Sequence, residues 1–142
     1  AVSREHLIDA LVHEDVDTAN RIIGTWLNET ISFFDEKEQY YHGFLAGLLS
    51  GYDAYKLKSN RETGDGRTDL LLMERFDRNI AVVIEVKDVD AQKGETLEMM
   101  AENALRQIEE KHYTEEPVNE GDQKILRYGI AFMGKRCLIK KG

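Results

Sequence analysis

Glu85 and Lys87 are the residues whose types and spacing most directly suggest chemistry. They lie in the segment I-A-V-V-I-E-V-K, an apolar run that is typical of a buried β-strand. Because side chains alternate between the two faces of a strand at about 3.3 Å per residue, we expect both on one face, roughly 7 Å apart. The pattern therefore predicts a carboxylate and an ammonium group side by side at the end of an apolar strand.

Asp69 is a third candidate, near the start of the preceding apolar segment, T-D-L-L-L-M-E. The short segment 77–79 between the two runs predicts a hairpin connection, and antiparallel pairing would bring Asp69 beside Glu85. Two carboxylates are ligands that suit Mg²⁺, and a lysine beside them can orient or deprotonate a water or neutralise charge on a phosphate. The trio suits phosphodiester hydrolysis. The alternative interpretation of Glu85 and Lys87 is a solvated ion pair where the strand leaves the core.

A helix predicted over residues 36–50 adds Glu38 and His42, which lie at the edge of its apolar stripe. In the functional interpretation Glu38 binds metal or water and His42 contacts the substrate. In the structural one, Glu38 completes a capping box begun at Asp35, and His42 is a packed histidine. Glycines at positions 43, 47 and 51, in and directly after this helix, are expected to let it approach a neighbour closely.

Gln107 and Arg67 complete the set of candidates. Gln107 lies at the margin of the apolar stripe of a helix predicted over 95–112, where its amide can hold a water or a phosphate oxygen. Arg67 ends the glycine-containing loop 59–67 and can contact a phosphate. A surface amide and a charged hairpin turn are the structural interpretations of the same two residues.

The order of these motifs resembles the PD-(D/E)XK nuclease superfamily. The likeness is carried by G-R-T-D-L-L-L, I-E-V-K and A-L-R-Q-I-E-E-K-H-Y. Two further segments, Y-Y-H-G-F-L-A-G-L-L and G-I-A-F-M-G-K-R-C, are similar to the nuclease-like domain that follows an AAA-ATPase-like domain in many bacterial proteins. The resemblance covers about residues 36–140. It implies a restriction-endonuclease-like core of αβββαβ order and cleavage of nucleic acid, with DNA as the expected substrate.

The resemblance also implies a role for each reactive position. It makes Asp69 and Glu85 the metal ligands, Lys87 the catalytic lysine, Gln107 the helix-borne glutamine, and Glu38 an acid from the preceding helix. Mg²⁺ is the implied ion, with Mn²⁺ as an alternative. Thr68 stands where the superfamily has a nominal proline, which is a weak part of the pattern, so this departure puts little in doubt.

The charge distribution bears on the partner. The 142 residues carry a formal net charge of −8, which is awkward for a nucleic-acid enzyme because phosphate contacts draw on Lys and Arg. Basic residues nevertheless cluster at the C-terminus and before Asp69: Lys135, Arg136, Lys140, Lys141, Lys56, Lys58, Arg61 and Arg67. Because the net charge is negative, the rival hypothesis is a catalytically silent nuclease-fold module for protein or nucleic-acid interaction. A nucleic-acid binder without chemistry is the third hypothesis.

The predicted architecture is α/β, a mixed sheet with an antiparallel start, a helical crossover to a further strand, and helices on both faces. Residues 1–34 are predicted to be a helical lead-in, with helices over 3–13 and 16–31, and residues 35–142 the nuclease-like domain. Strands are predicted over 52–58, 68–74, 80–87, 125–133 and 137–140, the first of them at an edge.

Features of the whole chain predict a cytoplasmic protein. No apolar run approaches the roughly 20 residues that cross a bilayer, and no signal-peptide pattern is present. The single cysteine, Cys137, excludes an internal disulfide and is interpreted as a small buried residue. The chain opens directly on a helix, so we expect a fragment of a longer protein. The resemblance implies that an AAA-ATPase-like domain lies upstream, although this sequence contains no P-loop. A homodimer is an alternative to a monomer.

Overall fold

The computed structural model describes residues 4–30, 38–61, 68–77, 79–110 and 124–142, with the backbone alone at positions 38, 39, 60, 61, 68 and 69. Within these residues the chain forms four α-helices and five strands. The helices are Arg4–Val12 (α1), Val16–Thr30 (α2), Glu38–Leu49 (α3) and Leu97–Glu110 (α4). The strands are Tyr55–Arg61 (β1), Thr68–Glu74 (β2), Ile80–Asp88 (β3), Lys124–Met133 (β4) and Arg136–Lys141 (β5).

The strands form one mixed sheet in the order β1-β2-β3-β4-β5. Neighbouring strands are antiparallel except for β3 and β4, which are parallel. A parallel pair needs a crossover connection, and α4 supplies it. The predicted α/β class and mixed sheet are confirmed. This topology brings the start of β2 and the ends of β3 and β4 to the same end of the sheet.

Both faces of the sheet are buried, because helices cover each of them. Residues of alternate parity on β2 and β3 pack toward α1, α2 and α3: Leu70, Leu72, Val82, Ile84 and Val86. The opposite parity packs with Ile108 of α4: Leu71, Met73, Ala81 and Val83. The double burial explains why β3 is apolar at successive positions rather than at alternate ones.

The helices α1 and α2 are packed into the same core as the sheet. They contribute Leu7, Ile8, Leu11, Ile22, Ile23 and Leu27 to the cluster that covers the α1 to α3 face. The Tyr128 hydroxyl on β4 donates a hydrogen bond of 2.6 Å to the Leu11 carbonyl. Asn20 Oδ1 on α2 accepts one of 3.1 Å from the Ile139 N–H on β5. These bonds join the N-terminal helices to the sheet.

Asp15 is the N-terminal cap of α2. Asp15 Oδ1 accepts a hydrogen bond of 3.2 Å from the Thr18 N–H at the start of the helix. Hydrogen bonding from Thr18 favours the carboxylate and lowers the pKa of Asp15. Asp15 thus joins the tight turn after α1, where its N–H donates to the Ala10 carbonyl at 2.8 Å, to the first turn of α2.

Several predicted boundaries are wrong by a few residues. β1 begins at Tyr55 rather than at Tyr52, because the Tyr55 N–H bonds to the Tyr52 carbonyl at 3.0 Å in a turn. β1 also continues to Arg61, into the predicted loop, where it pairs with Thr68. Its position at an edge of the sheet is as predicted. A short 3-10 helix, Ala91–Lys93, precedes α4 and was not expected.

The predicted close approach at Gly43 and Gly47 is also wrong. Both glycines are exposed, and a Cβ atom at either would meet no heavy atom of the described residues within 4 Å. A Cβ atom at Gly51, which is also exposed, would lie 3.7 Å from Arg4 Nη1, an ordinary contact. Their absent side chains therefore relieve no crowding around α3. In the part of the chain that the structure describes, none of the helices is long and apolar enough to span a membrane.

Candidate active site

Glu85 and Lys87 lie in a buried setting at the end of β3, on the face that α4 covers. Glu85 is 0% exposed and Lys87 is 9% exposed, and Lys87 Nζ lies 4.0 Å from Glu85 Oε1. The interpretation of Glu85 and Lys87 as a solvated surface pair is therefore wrong, because Glu85 is fully buried and only 9% of Lys87 is exposed. Burying a charged pair is costly unless the charges are held together, so this pair is an expensive feature in an apolar strand.

Asp69 occupies the position on β2 that antiparallel pairing predicts. Its Cα lies opposite that of Glu85, and Asn60 of β1 lies opposite Asp69 on the other side. The row continues to Gly129 of β4, which pairs with Glu85. Directly opposed residues of an antiparallel pair have Cβ atoms about 4.5–5.5 Å apart. The Asp69 side chain itself lies outside the described residues, so its contact with Glu85 remains a prediction.

Gly129 allows α4 to lie directly on the sheet beside Glu85. A Cβ atom at Gly129 would overlap the Ala101 carbonyl oxygen and would lie 3.0 Å from Ala104 Cβ. Only glycine fits this contact between a strand and a helix backbone. The sequence reasoning overlooked Gly129, although an isolated glycine inside an apolar strand is a signal of close backbone approach. Gly129 therefore sets how closely the Ala101–Leu105 segment of α4 lies on the sheet beside Glu85.

Gln107 lies on α4 beside Ile108, which belongs to the buried cluster that also holds Leu71, Met73, Ala81 and Val83. Leu105, about 200° away around the helix, packs at the margin of the same cluster. Gln107 Oε1 is buried and accepts no hydrogen bond from the described residues. A buried acceptor without a partner is uncommon and marks a place where a water or a ligand is expected.

The structure does not bring His42 to the Glu85 side of the sheet. His42 is buried, and its Nε2 lies 3.2 Å from Ser59 Oγ on β1. Ser59 has the same parity as Leu57, which packs toward α1, α2 and α3. A helix margin in the sequence does not reveal which face of the sheet the helix covers. His42 is thus placed as a packed residue, and its predicted contact with substrate lacks support from this geometry.

Glu38 and Arg67 are the remaining predicted site residues. α3 begins at Glu38, but the Glu38 side chain and the whole of Arg67 lie outside the described residues. The Tyr41 hydroxyl donates a hydrogen bond of 3.0 Å to the Gly134 carbonyl in the β4–β5 turn. The first turn of α3 therefore lies at the same end of the sheet as Lys87. The proposed roles of Glu38 and Arg67 stay predictions.

Two nearby groups have shifted pKa values. Burial raises the pKa of Asp88, and the negative charges of Glu95 and Asp90 raise it further, while Lys87 acts in the opposite sense. Burial raises the pKa of the Cys137 thiol to about 12, so the thiol is protonated at neutral pH. A protonated thiol is a poor nucleophile, which agrees with the structural interpretation of Cys137.

The carboxylates of Asp69 and Glu85 are donors that suit a divalent cation, but only the Glu85 side chain is among the described ones. Among the described residues, no group of three or more His, Cys, Asp or Glu side chains could hold a metal ion. Glu85 supplies one buried carboxylate, and the backbone places Asp69 opposite it. Two carboxylates from adjacent strands are what a hard cation with retained waters takes from a protein.

Comparison with known proteins identifies the family. The family model of the PD-(D/E)XK nuclease superfamily matches residues 36–142, which is most of the chain. No curated protein and no solved structure gives a significant match. The matched region holds α3, the whole sheet and α4, and it includes the acid, the E-x-K tripeptide and the helix-borne glutamine described above. The chain therefore belongs to the PD-(D/E)XK nuclease superfamily.

Proposed function

We propose that this chain is a metal-dependent nuclease domain that hydrolyses phosphodiester bonds at the sheet end where β2 meets β3. The observation that carries the proposal is the fully buried Glu85 carboxylate, which has Lys87 Nζ at 4.0 Å and the Cα of Asp69 opposite its own. The stability of the fold alone does not readily explain why two opposite charges are buried in the core. Apolar residues of similar size at such positions often give the same or a greater free energy of unfolding.

Asp69 and Glu85 would hold the cation, for which we propose Mg²⁺, with Mn²⁺ as an alternative. When bound, a divalent cation stabilises negative charge on the phosphate and makes a water more acidic. Lys87 is partly accessible to solvent, with 11% of its side chain exposed. We assign to its ammonium group the orientation of the attacking water and the neutralisation of charge on the phosphate.

The other predicted residues take supporting roles in this proposal. Gln107 Oε1, buried and without a described partner, would accept a hydrogen bond from a water in the site. Glu38 would contribute a further acid from the start of α3, and Arg67 would contact a phosphate. His42 would act through the position of β1, since it bonds Ser59 on the opposite face.

The biological setting is likewise a proposal. The resemblance supports DNA as the substrate and an AAA-ATPase-like domain upstream in a longer bacterial protein. The single cysteine supports action in the cytoplasm. Residues 35–142 would carry the chemistry, and residues 1–34 would supply the helices that cover one face of the sheet. Self-association as a homodimer is compatible with this arrangement.

Cleavage assays with matched variants test the proposal. Single- and double-stranded DNA and RNA are incubated with wild type, Glu85→Gln and Lys87→Ala, with and without Mg²⁺. The controls are Glu109→Gln on the exposed side of α4 and Lys124→Ala at the far end of the sheet. Loss of one group that stabilises the transition state typically costs about 10²- to 10³-fold in rate. We expect that loss in the first two variants and wild-type rates in the controls.

A silent nuclease-fold module is the second candidate, favoured by the net charge of −8. It predicts no cleavage by wild type and no binding of Mg²⁺ at millimolar concentration. A titration of Mg²⁺ against wild type and Asp69→Asn separates the two candidates. Binding that Asp69→Asn abolishes supports the nuclease, whereas cleavage that persists in both Glu85→Gln and Lys87→Ala rejects it.

A further inference from the structure

We propose that an open groove beside the β4–β5 turn binds the phosphodiester backbone of the nucleic acid next to the site of cleavage. This inference rests on the proposed function and deepens it by assigning a path to the substrate. The groove lies between α2, the first turn of α4 and the β4–β5 turn, and has a volume of about 850 Å³. It is called the hairpin groove below. Its lining includes Arg21, Gly24, Leu97, Lys135, Arg136 and Leu138.

The hairpin groove is locally positive in a chain of net charge −8. Three of its lining residues are cations, Arg21, Lys135 and Arg136, and none of them forms an ion pair with another described residue. Two of its lining residues, Glu95 and Glu98, are acids, so the charges of the lining side chains sum to +1, and each acid already has a described partner. Glu98 Oε1 lies 3.2 Å from Lys140 Nζ, and Glu95 Oε1 accepts a hydrogen bond of 2.8 Å from the Asp90 N–H. Available positive charge facing solvent suits a polyanion.

The hairpin groove lies within reach of a strand that crosses the proposed site. Lys87 pairs with Ala131 of β4, and Ala131 pairs with Leu138 of β5, which lines the groove. Two strand spacings separate Lys87 from Leu138, a distance of about 10 Å. Measured along the axis of a B-form duplex, this separation corresponds to about three base steps at 3.4 Å per step. A backbone whose scissile phosphate meets Lys87 would therefore place a later phosphate against Lys135 and Arg136.

A substitution at Gly24 tests the hairpin groove without destabilising the fold. Gly24 lies in α2, in the wall of the groove, and a Cβ atom there would meet no heavy atom of the described residues within 4 Å. A larger residue is therefore tolerated, and replacing a glycine inside a helix favours the helix. Gly24→Glu adds a carboxylate to the groove. Gly47→Glu is the matched control, because Gly47 is also helical, exposed and uncrowded, and gives the same change in net charge.

Binding of a labelled DNA duplex is measured by fluorescence anisotropy in EDTA, so that cleavage does not intervene. At 50 mM salt we expect Gly24→Glu to bind at least tenfold more weakly than wild type and Gly47→Glu to bind within twofold of it. Gly24→Gln, which fills the same space without charge, should bind better than Gly24→Glu. Lys135→Ala combined with Arg136→Ala should lower the slope of log affinity against log salt by about two.

The outcomes separate this inference from the proposed function. If Gly24→Glu and the Lys135→Ala/Arg136→Ala variant bind DNA as wild type does, the hairpin groove is not the path, whether or not wild type cleaves. If wild type binds DNA through the groove but cleaves nothing, the inference stands and the proposed nuclease activity fails. If wild type binds no DNA, the inference is overturned. Equal weakening in Gly24→Glu and Gly47→Glu would show a general charge effect and would also overturn it.

Discussion

Lys87 Nζ lies 4.0 Å from Glu85 Oε1, and the strand between them places both side chains in the interior of the molecule. Their neighbours on β3, from Ala81 to Val86, are otherwise apolar and buried. The two opposite charges therefore compensate each other where water cannot. This mutual dependence gives a way to separate the stability of the fold from the chemistry of the site.

Glu85→Gln should destabilise the protein because it removes this counter-charge from the buried Lys87 ammonium. We expect a loss of about 3 kcal/mol in the free energy of unfolding, measured by urea titration in EDTA. Glu85→Gln combined with Lys87→Met removes both charges and should recover most of that loss. Both variants should cleave nucleic acid at least about 10²-fold more slowly than wild type. If the double variant is no more stable than Glu85→Gln, the two residues are not coupled as their distance indicates.

Mg²⁺ should stabilise the wild-type fold if Asp69 and Glu85 bind it. A ligand present at ten times its dissociation constant adds about 1.4 kcal/mol to the free energy of unfolding, which corresponds to a rise in Tm of about 3–6 °C. Thermal unfolding is followed by circular dichroism with Mg²⁺ and then with excess EDTA. Asp69→Asn should show little change on adding Mg²⁺. An equal rise in Tm for both proteins would mean that the ion binds elsewhere.

Gly129→Ala should damage the fold and the site together, because the added methyl group would overlap the Ala101 carbonyl of α4. Overpacking of this kind typically costs about 1–3 kcal/mol. The shift of α4 would also displace Gln107, so we expect cleavage to fall further than the folded fraction does. Gly24→Ala is the control, since it is uncrowded and should stabilise α2 by about 0.5–1 kcal/mol. Wild-type stability in Gly129→Ala would contradict the close contact.

The positions of Asp69, Glu85 and Lys87 in the sheet were predictable because they depend only on the alternation of side chains along a strand and on one hairpin. The two apolar runs fixed β2 and β3, and the short connection fixed their antiparallel sense, which is sufficient to put Asp69 opposite Glu85. The period of two then put Lys87 on the same face as Glu85. Each of these steps uses contacts between residues that are close in sequence, where local patterns are informative.

Contacts between distant segments were the part that sequence patterns did not reveal. In the sequence, Gly129 is only a residue that weakens a strand. The structure shows that the backbone of α4 packs on it. The margin of α3 marks His42 as a candidate, yet only the fold shows that α3 covers the face opposite Glu85. The hairpin groove combines α2, α4 and the β4–β5 turn, so no single stretch of sequence predicts it.

Tyr128→Phe tests whether α1 is a working part of the domain, because the Tyr128 hydroxyl bonds the Leu11 carbonyl at 2.6 Å. Its loss leaves a buried carbonyl without this partner, and we expect a decrease of about 1–2 kcal/mol in the free energy of unfolding at pH 7. Burial raises the pKa of Tyr128 to about 12 from 10.0. Between these values the native state binds more protons than the unfolded state, so this contribution to wild-type stability falls as pH rises. The gap between wild type and Tyr128→Phe in urea titrations should therefore narrow from pH 9 to pH 11. A gap that is absent at pH 7 would contradict the docking of α1 on β4.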